Sequence, residues 1–391
     1  MKRGSGDADE QAHEKRSKAA AAGAASTRCP YLDTVNRQLL DFDQLKVCSS
    51  TLTNMNVYSC LVCGKFFRGK GAGTPAHTHS VQAGHFVFMS LHDGRAVCLP
   101  DSYEIDDTSL DDVKRNLSPV FSPADIAALS KNTSLARDAH GGSYLPGFVG
   151  LNTLNHADFI TVVLHALSHV APLRDFFLEP KNYSNEDFID IQTGAKTLDF
   201  TPKSLICHAF GNIVRKLWSK DNFKSVISPI EFVQEVASLS KKRFEVGRQS
   251  EAIDFLVWLL DELHRGLKTP PGSKSVVQEC FMGQVEVLIK CRRGEANLNP
   301  KLKGDAPADG DEGAEWVVAE KKVLPFNFLG LDIPPTPLFR DASGGTVVPQ
   351  LPLFEVLKKF DGERWVDHID PRCARFHATA IYSHAHTIFA H

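Results

Sequence analysis

Apolar residues recur with helical spacing through the middle of the chain. Four segments carry apolar residues three and four positions apart and are predicted to be helices: 158–170, 204–218, 229–239 and 251–267. The apolar face of the last one is a stripe of four leucines: Leu256, Leu259, Leu260 and Leu263. An apolar face of this kind is buried against a neighbouring element, so the region is predicted to be rich in packed helices.

Two helices are predicted to begin with a Ser-Pro pair. Ser122 precedes Pro123 and Ser228 precedes Pro229, which places serine at the N-cap and proline at the first helical position. Glu231 follows Ser228 by three residues, as a capping box requires. We therefore expect both helices to be capped by their serines.

Toward the end of the chain the pattern changes from helix to strand. Segments 276–291 and 323–333 are predicted to be strands because β-branched and aromatic residues dominate them. Residues 293–315 between them are polar and rich in Gly and Pro, so we expect a mobile insertion there. Helices followed by strands indicate an α+β fold.

Composition places the chain among globular proteins. Its 391 residues suffice for two domains, and 42% apolar and 23% charged residues are ordinary values. A net charge of −3 argues against direct sequence-specific nucleic-acid binding. No apolar run approaches the roughly 18 to 20 residues of a membrane span, and the N-terminus lacks the apolar core of a signal peptide.

Residues 1–27 are polar, charged and rich in alanine, and they show no apolar periodicity. We predict that this segment is disordered. Two short basic runs within it are typical of nuclear-import signals: Lys2-Arg3 and Lys15-Arg16-Ser17-Lys18.

Four residues have the spacing of a zinc site, C-x2-C-x15-H-x5-H: Cys60, Cys63, His79 and His85. A CxxC turn supplies two thiolates and a second segment supplies two imidazoles, which together complete the tetrahedron that zinc prefers. His77 is an alternative to His79 because it lies only two residues away. Since protein groups fill all four positions, the zinc is predicted to be structural.

Three other groups are predicted to be buried or surface residues rather than sites: the thiols Cys29, Cys48 and Cys98, the pair His165 and His169, and the adjacent Cys207 and His208. The first three cysteines lack a clear fourth ligand for a second zinc, although such a site is the alternative. The two histidines share a helix face without a third ligand nearby. Adjacent helical residues point in different directions and cannot form a nucleophile–base pair.

The stretch GLNTLNHADFITVVLHALSHV, residues 150–170, is a polar turn that leads into an apolar helix. Cysteine enzymes place their nucleophile at such a helix start. The residue at this junction is Asp158, whose carboxylate is a poor nucleophile but suits an N-cap and the helix dipole. We predict that Asp158 caps the helix and catalyses nothing.

The block CPYLDTVNRQLLDFDQLKVCSSTLTNMNVYSCLVCGKFFRGKG, continued by HTHSVQAGHFVFMSLHDGRAVCLPDSYEI, resembles the UBP-type zinc finger. This resemblance implies a finger over 28–107 whose zinc lies on the two Cys/His pairs. Fingers that capture the ubiquitin C-terminus usually carry arginine soon after the second knuckle. Here that position holds Lys65, a point charge rather than a planar fork, so we expect no ubiquitin capture.

The segment YLPGFVGLNTLNHADFITVVLHALSHVAPLRDFFLE resembles the cysteine box of ubiquitin-specific proteases, and RQSEAIDFLVWLLDELHRGL is similar to their Q-Q-D-A-x-E-F-L helix. The resemblance implies a papain-like protease domain over 144–362, after a helical connector at 108–143. It places Asp158 at the nucleophilic cysteine and Thr153 at the oxyanion-stabilising asparagine. A protein without either group is not expected to be an enzyme.

Within that superfamily the resemblance is to the inactive, tri-snRNP-associated branch. It implies a non-catalytic adaptor in pre-mRNA splicing that supports the U4/U6.U5 tri-snRNP in the nucleus, with spliceosomal proteins as partners. The alternatives are a deubiquitinating peptidase that uses another residue and a ubiquitin-binding module. No histidine box follows Gly362, so we expect 363–391 to be an irregular, divergent His-rich tail and the protease-like domain to be incomplete.

Overall fold

The computed structural model describes these parts of the chain: 29–183, 202–267, 274–292, 316–326, 352–357, 363–368 and 376–383. The chain divides into two compact units, Met1–Lys268 and Thr269–His391. The predictions for 1–27 and 293–315 lie outside the described residues.

The first unit opens with a five-stranded antiparallel sheet and one helix. In chain order the strands are β1 Val57–Cys60, β2 Phe66–Arg68, β3 Val87–Ser90, β4 Ala96–Cys98 and β5 Tyr103–Ile105. Their order in the sheet is β2-β1-β3-β4-β5. Helix α1, Pro75–Ala83, connects β2 to β3 and ends at Gly84, which adopts a left-handed conformation with φ of 67°.

Successive residues of a strand point to opposite faces of the sheet. Here each face packs against a core of its own. Val57, Val87 and Met89 belong to one core. This core also contains buried apolar residues from 29–42 and from the connector. Tyr58 and Phe88 belong to a second, smaller core on the other face. The strands β1, β3 and β4 therefore contribute residues to both cores.

Helices dominate the rest of the first unit. They are α2 Asp111–Leu117, α3 Pro123–Leu129, α4 Asp158–Ser168, α5 Ala171–Leu178, α6 Pro202–Trp218, α7 Ile230–Leu239 and α8 Ala252–Gly266. Short strands β6 Ala136–Arg137 and β7 Ser143–Tyr144 pair antiparallel, and β8 Gly150–Leu151 pairs parallel with β9 Val226–Ile227. Single 3-10 turns lie at Leu32–Thr34, Arg37–Leu39, Thr108–Leu110 and Pro180–Asn182.

Helix α6 lies at the centre of this layer, in contact with α5, α7 and α8. Large apolar side chains that are fully buried fill the spaces between the helices: Phe177, Phe210, Phe232, Phe244 and Phe255. The four helices predicted from apolar spacing are all present. Three of the four predicted leucines of α8 are buried and Leu256 is half-buried.

The finger and the helices are joined by ion pairs within the first unit. Asp43 pairs with Lys216, and Asp41 pairs with Lys224 at 2.6 Å. Lys46 contacts Glu231 at 3.1 Å. The three finger residues come from one short segment, 41–46. This segment therefore connects the finger to helices α6 and α7 and to the chain between them.

Only one of the two predicted serine caps forms. Ser122 is the N-cap of α3, as predicted, and it also forms a capping box with Asp125. The prediction for Ser228 is wrong, because α7 begins at Ile230 and Pro229 occupies the N-cap without a side-chain cap. Ser228 instead accepts a hydrogen bond from the Asn152 side chain at 2.6 Å, which holds two loops together.

The second unit contains an antiparallel sheet of order β11-β10-β13-β12. Its described elements are α9 Val276–Phe281, β10 Gly283–Arg292, β11 Trp316–Phe326, α10 Leu353–Leu357, β12 Glu363–His368 and β13 Phe376–Ser383. Predicting a strand from residue 276 was wrong, because Ser275 and Gln278 form a capping box that starts a helix there. An irregular tail was also wrong for the described residues, since β12 and β13 are strands and β13 pairs with β10.

Among the residues that the structure describes, no helix combines the length and the apolar character needed to span a membrane.

Candidate metal centre and the loop before helix α4

The four predicted zinc ligands lie together in the finger. The ligand atoms of Cys60, Cys63, His79 and His85 are all within 4.8 Å of one another, and no other group of three or more metal-ligating side chains occurs in the described part of the chain. Cys60 ends β1, Cys63 lies in the following turn, His79 lies on α1, and His85 follows the glycine that ends α1.

The backbone around Cys63 requires a glycine. Gly64 has φ of 74°, and a Cβ added there would lie 2.0 Å from the carbonyl oxygen of Leu39. The amide of Gly64 donates to the carbonyl of Cys60 at 2.8 Å and closes the CxxC turn. This turn therefore orients both thiols toward the histidines.

The distances between ligand atoms fit a tetrahedral zinc ion. The Sγ of Cys60 lies 3.6 Å from Nδ1 of His85, and the Sγ of Cys63 lies 3.4 Å from Nε2 of His79. The two imidazole nitrogens are 3.1 Å apart. Ligand bonds of ordinary length place sulfur and nitrogen about 3.5 Å apart and two nitrogens about 3.3 Å apart around tetrahedral zinc. The donor set thus has the size and chemistry for structural zinc.

The alternative ligand, His77, is not part of this group. Its carbonyl accepts a hydrogen bond from the Ser80 hydroxyl at 2.7 Å. Two residues along a helix turn a side chain away by more than half a revolution, so His77 and His79 cannot both face the thiols. His79 is fixed in the centre by Phe67, whose ring stacks on it with centroids 4.2 Å apart.

A hydrogen bond between the two thiols of the CxxC turn shifts their pKa values in opposite directions. A hydrogen bond from Cys60 is the largest effect on Cys63, and it lowers the pKa of Cys63 to about 4 although burial opposes it. The same hydrogen bond, together with burial, raises the pKa of Cys60. Zinc binds thiolates, so the lowered pKa of Cys63 favours the form of this side chain that would hold the ion.

The remaining cysteines of the finger are buried thiols, as predicted: Cys29, Cys48 and Cys98. Tyr103 donates a hydrogen bond to Cys29 at 3.2 Å. Burial would raise the pKa of Cys48, but hydrogen bonds from Ser50 and Thr51 lower it to about 6. None of these thiols joins a group of three metal ligands among the described residues.

The loop that precedes α4 places Asp158 at the first helical position. The N-cap is Ala157 and no side chain caps this helix, so the predicted cap at Asp158 is wrong. A cap must have an extended backbone just before the helix, whereas Asp158 is already helical. Its side chain is exposed in the first turn, where the helix dipole favours a negative charge.

Thr153 is also exposed and lies in the same loop. Its neighbour Asn152 donates its backbone amide to the carbonyl of Ile227 at 2.8 Å. Gly247 donates to the carbonyl of Asn155 at 2.8 Å. The loop is therefore held by backbone contacts on both sides, while its two candidate site residues face solvent.

The histidines and the thiol on the helices are packing groups. The ring of His169 packs at a tilt against the rings of Phe148 and Trp218, with centroid distances of 5.0 and 5.4 Å. Burial, and then the neighbouring His169, lower the pKa of His165. Cys207 is buried and its pKa is raised to about 12 by burial. Both pKa shifts favour the neutral forms of His165 and Cys207, as expected for side chains packed in a helical core.

Two family models match the chain. The model described as ubiquitin carboxyl-terminal hydrolase matches residues 149–372, and the model described as Zn-finger in ubiquitin-hydrolases and other protein matches residues 47–110. The first range contains the Asp158 loop and the second contains the metal centre. The fold is therefore α+β, with a UBP-type zinc finger followed by a ubiquitin-hydrolase domain.

Similar curated proteins include ubiquitin carboxyl-terminal hydrolase 39 of Homo sapiens, 42% identical over 86% of this chain and 57% of its own length. The probable mRNA-splicing protein ubp10 of Schizosaccharomyces pombe is 36% identical over 85% of this chain and 62% of its own. A crystal structure of an essential yeast splicing factor matches with a TM-score of 0.63 and 27% identity, covering 85% of this chain and 72% of that one. The chain thus spans little more than half the length of the human relative.

Proposed function

The chain belongs to the ubiquitin carboxyl-terminal hydrolase family, and from this premise we propose that it is a non-catalytic adaptor in pre-mRNA splicing. In this proposal it supports assembly or stability of the U4/U6.U5 tri-snRNP by binding spliceosomal proteins. The observation that carries the proposal is the similarity, over more than four fifths of the chain, to proteins named as splicing factors.

The chemistry of the loop before α4 supports a role without catalysis. A cysteine protease needs a thiolate that a neighbouring histidine activates. At the position that the motif resemblance assigns to the nucleophile, Asp158 offers a carboxylate. Its attack on an isopeptide carbonyl, with the amine as leaving group, would give a high-energy mixed anhydride. Thr153 replaces the expected oxyanion donor, and loss of such a donor alone costs about 10² to 10³ in rate. Together these replacements remove the two groups that the reaction requires.

The metal centre supports the proposal in a different way. We assign a structural zinc ion to Cys60, Cys63, His79 and His85, with no position left for a catalytic water. The ion stabilises a finger that ion pairs hold against the helices. Such a finger contributes a fixed binding surface rather than a reaction centre.

A nuclear location follows from a splicing role. The basic runs near the N-terminus, Lys2-Arg3 and Lys15-Arg16-Ser17-Lys18, are suited to recognition by an import receptor. Fusion of residues 1–27 to a fluorescent reporter tests this part of the proposal, and nuclear accumulation that is lost when these lysines and arginines become alanine is the expected result.

Rescue of depleted cells tests the function itself. Cells of the source organism are depleted of the protein and supplied with wild type, Asp158→Ala or Cys60→Ala. We expect depletion to lower the tri-snRNP peak in a glycerol gradient and to raise unspliced transcripts. Wild type and Asp158→Ala should restore both readouts, whereas Cys60→Ala should not.

Two results of that experiment contradict the proposal. One is an unchanged tri-snRNP peak in depleted cells. The other is failure of a folded, normally expressed Asp158→Ala protein to restore splicing, since this would assign a chemical role to the carboxylate.

Ubiquitin binding is the alternative that family membership favours. The exposed Lys65 stands where ubiquitin-capturing fingers carry arginine, and a compact ammonium cannot make the paired hydrogen bonds of a guanidinium. Calorimetric titration of the full chain with ubiquitin decides this point. We expect no saturable binding at tens of micromolar, and a clear isotherm in that range supports the alternative.

A further inference from the structure

A cavity of about 820 Å³ lies within the first unit where the finger meets the helices. Its walls come from the finger, from α2 and from helices α6 and α7. Leu117 and Leu205 are among its apolar lining residues, while Arg215 and Glu235 are among the charged ones. The volume falls within the range of about 300 to 1,000 Å³ that is typical of ligand sites.

Arg215, on α6, is a buried cation without an anion. Its side chain lines the cavity, and the residue is only 8% exposed. Its Nη1 donates to the hydroxyl of Tyr183, but Nε has no hydrogen-bond partner and no carboxylate of the described residues pairs with the guanidinium. Arginine is seldom buried to this extent unless a partner neutralises it.

Another buried arginine of the same unit shows the contrast. Arg174 is 4% exposed, and its guanidinium contacts Asp175 at 2.7 Å and Ser130 at 3.0 Å. It also lies over the ring of Trp218 at 4.6 Å from the centroid. Arg174 thus has a carboxylate partner inside the protein, whereas Arg215, which lines the cavity, has none among the described residues.

Acidic residues of helix α7 also line the cavity. Glu231 and Glu235 lie one turn apart on α7, and Lys46 pairs with Glu231. Glu235 is half-buried and has no ion-pair partner among the described residues. Burial, and then repulsion by Glu231, raise the pKa of Glu235. The cavity thus presents one uncompensated positive and one uncompensated negative side chain.

We propose that this cavity binds a segment of a partner polypeptide that carries an acidic residue for Arg215 and a basic residue for Glu235. The planar guanidinium holds a carboxylate through two parallel hydrogen bonds, and Glu235 accepts from a lysine or arginine. Apolar lining residues receive the side chains between the two charges. Nucleic acid is disfavoured because the two glutamates repel its phosphates and the chain has a net charge of −3.

This inference goes beyond the proposed splicing function and does not depend on it. The test uses the purified full chain and a library of random linear peptides displayed on phage. We expect selection on wild type to enrich peptides that contain an acidic and a basic residue a few positions apart. The dissociation constant of a selected synthetic peptide is then measured by fluorescence anisotropy.

Three variants assign that binding to the cavity. Arg215→Lys keeps the charge but removes the planar fork, and we expect it to weaken binding by at least about tenfold. Glu235→Lys should weaken binding similarly, and a peptide whose basic residue is changed to glutamate should recover affinity for this variant. Arg174→Lys is the matched control for a conservative change at a buried arginine and should bind within about twofold of wild type.

Three outcomes overturn the proposal. The first is a selection that enriches no acidic–basic pair. The second is binding that neither Arg215→Lys nor Glu235→Lys changes while thermal melting shows that both variants are folded. The third is stabilisation by inorganic phosphate alone that Arg215→Lys abolishes and Glu235→Lys leaves intact, because this assigns the cavity to a phosphate group.

Discussion

Asp158 exposes its carboxylate at the positive end of helix α4. In the proposed function this is the position at which a protease of the family would hold its thiolate. A negative charge is favoured in the first turn of a helix, so the carboxylate suits this place as a structural group. That it starts a helix could be predicted from the apolar spacing of 158–170. The sequence could not predict that Asp158 occupies the first helical position and not the N-cap. This detail depends on the backbone angles of Ala157.

Placing a thiol at position 158 is therefore not expected to give a catalyst. In Asp158→Cys a thiol would be present, but in the proposed function Thr153 still stands where the oxyanion donor is needed. We predict no hydrolysis of ubiquitin–aminomethylcoumarin above the wild-type background, with an active family protease as the positive control. Fluorescence release that depends on the concentration of the Asp158→Cys variant would show that the site retains its catalytic geometry.

The zinc ligands allow a comparison between two histidines of one helix. His79→Ala removes a ligand, and we predict loss of bound zinc together with loss of the cooperative unfolding transition of the finger, since metal binding supplies much of its folding free energy. His77→Ala is the control, because His77 lies outside the ligand group. Atomic absorption and urea unfolding followed by circular dichroism measure both effects. Equal zinc contents in the two variants would contradict the assignment.

The carboxylate of Asp41 links stability to pH. Burial opposes ionisation, but hydrogen bonds and attraction from Lys224 outweigh it, so the pKa of Asp41 is lowered. A lowered pKa gives stability that is present above the unfolded value, about 3.9, and is lost as pH falls through the folded value. We predict that Asp41→Asn is less stable than wild type at pH 6 and that the difference shrinks below pH 4. A difference that is constant with pH would exclude this linkage.

At the scale of elements, segment 41–46 joins the finger to the helices, and its partners lie far away in the sequence. Asp43 reaches Lys216, and the amide of Ser228 donates to the same aspartate at 3.2 Å. Apolar periodicity predicts the helices and cysteine spacing predicts the metal ligands, because both are local patterns. These ion pairs and the cavity beside them arise from contacts between distant segments and leave no local pattern.

Buried and exposed ion pairs of this junction should differ in their contribution to stability. The side chains of Lys216 and Asp43 are 7% and 15% exposed, whereas that of Lys224 is 40% exposed. We predict that Lys216→Met lowers the free energy of unfolding by about 3 to 5 kcal/mol, because it leaves a buried carboxylate unpaired. Lys224→Met, the matched control, should lower it by no more than about 1 kcal/mol. Urea titration measures both, and equal effects would contradict the assigned burial.

At the scale of the whole molecule, a zinc finger and a protease-like helical layer form one unit with a charged cavity between them. Three features in different parts of this unit bear on a binding role. They are a metal centre with no open position, an exposed carboxylate at the helix start, and a cavity with unpaired charges. The metal centre stabilises the finger, the carboxylate replaces a thiol in the proposed function, and the cavity is the proposed place for a partner.

The central claim, that this family member binds without catalysing, is tested most directly with a ubiquitin probe that carries a C-terminal propargyl group. Such a probe forms a covalent bond only with a thiol held in a working active site. After incubation with the full chain, intact-mass spectrometry should show the unmodified protein alone, while an active family protease in the same buffer is labelled completely. A covalent adduct on any cysteine of this chain would contradict the claim and support a deubiquitinating function.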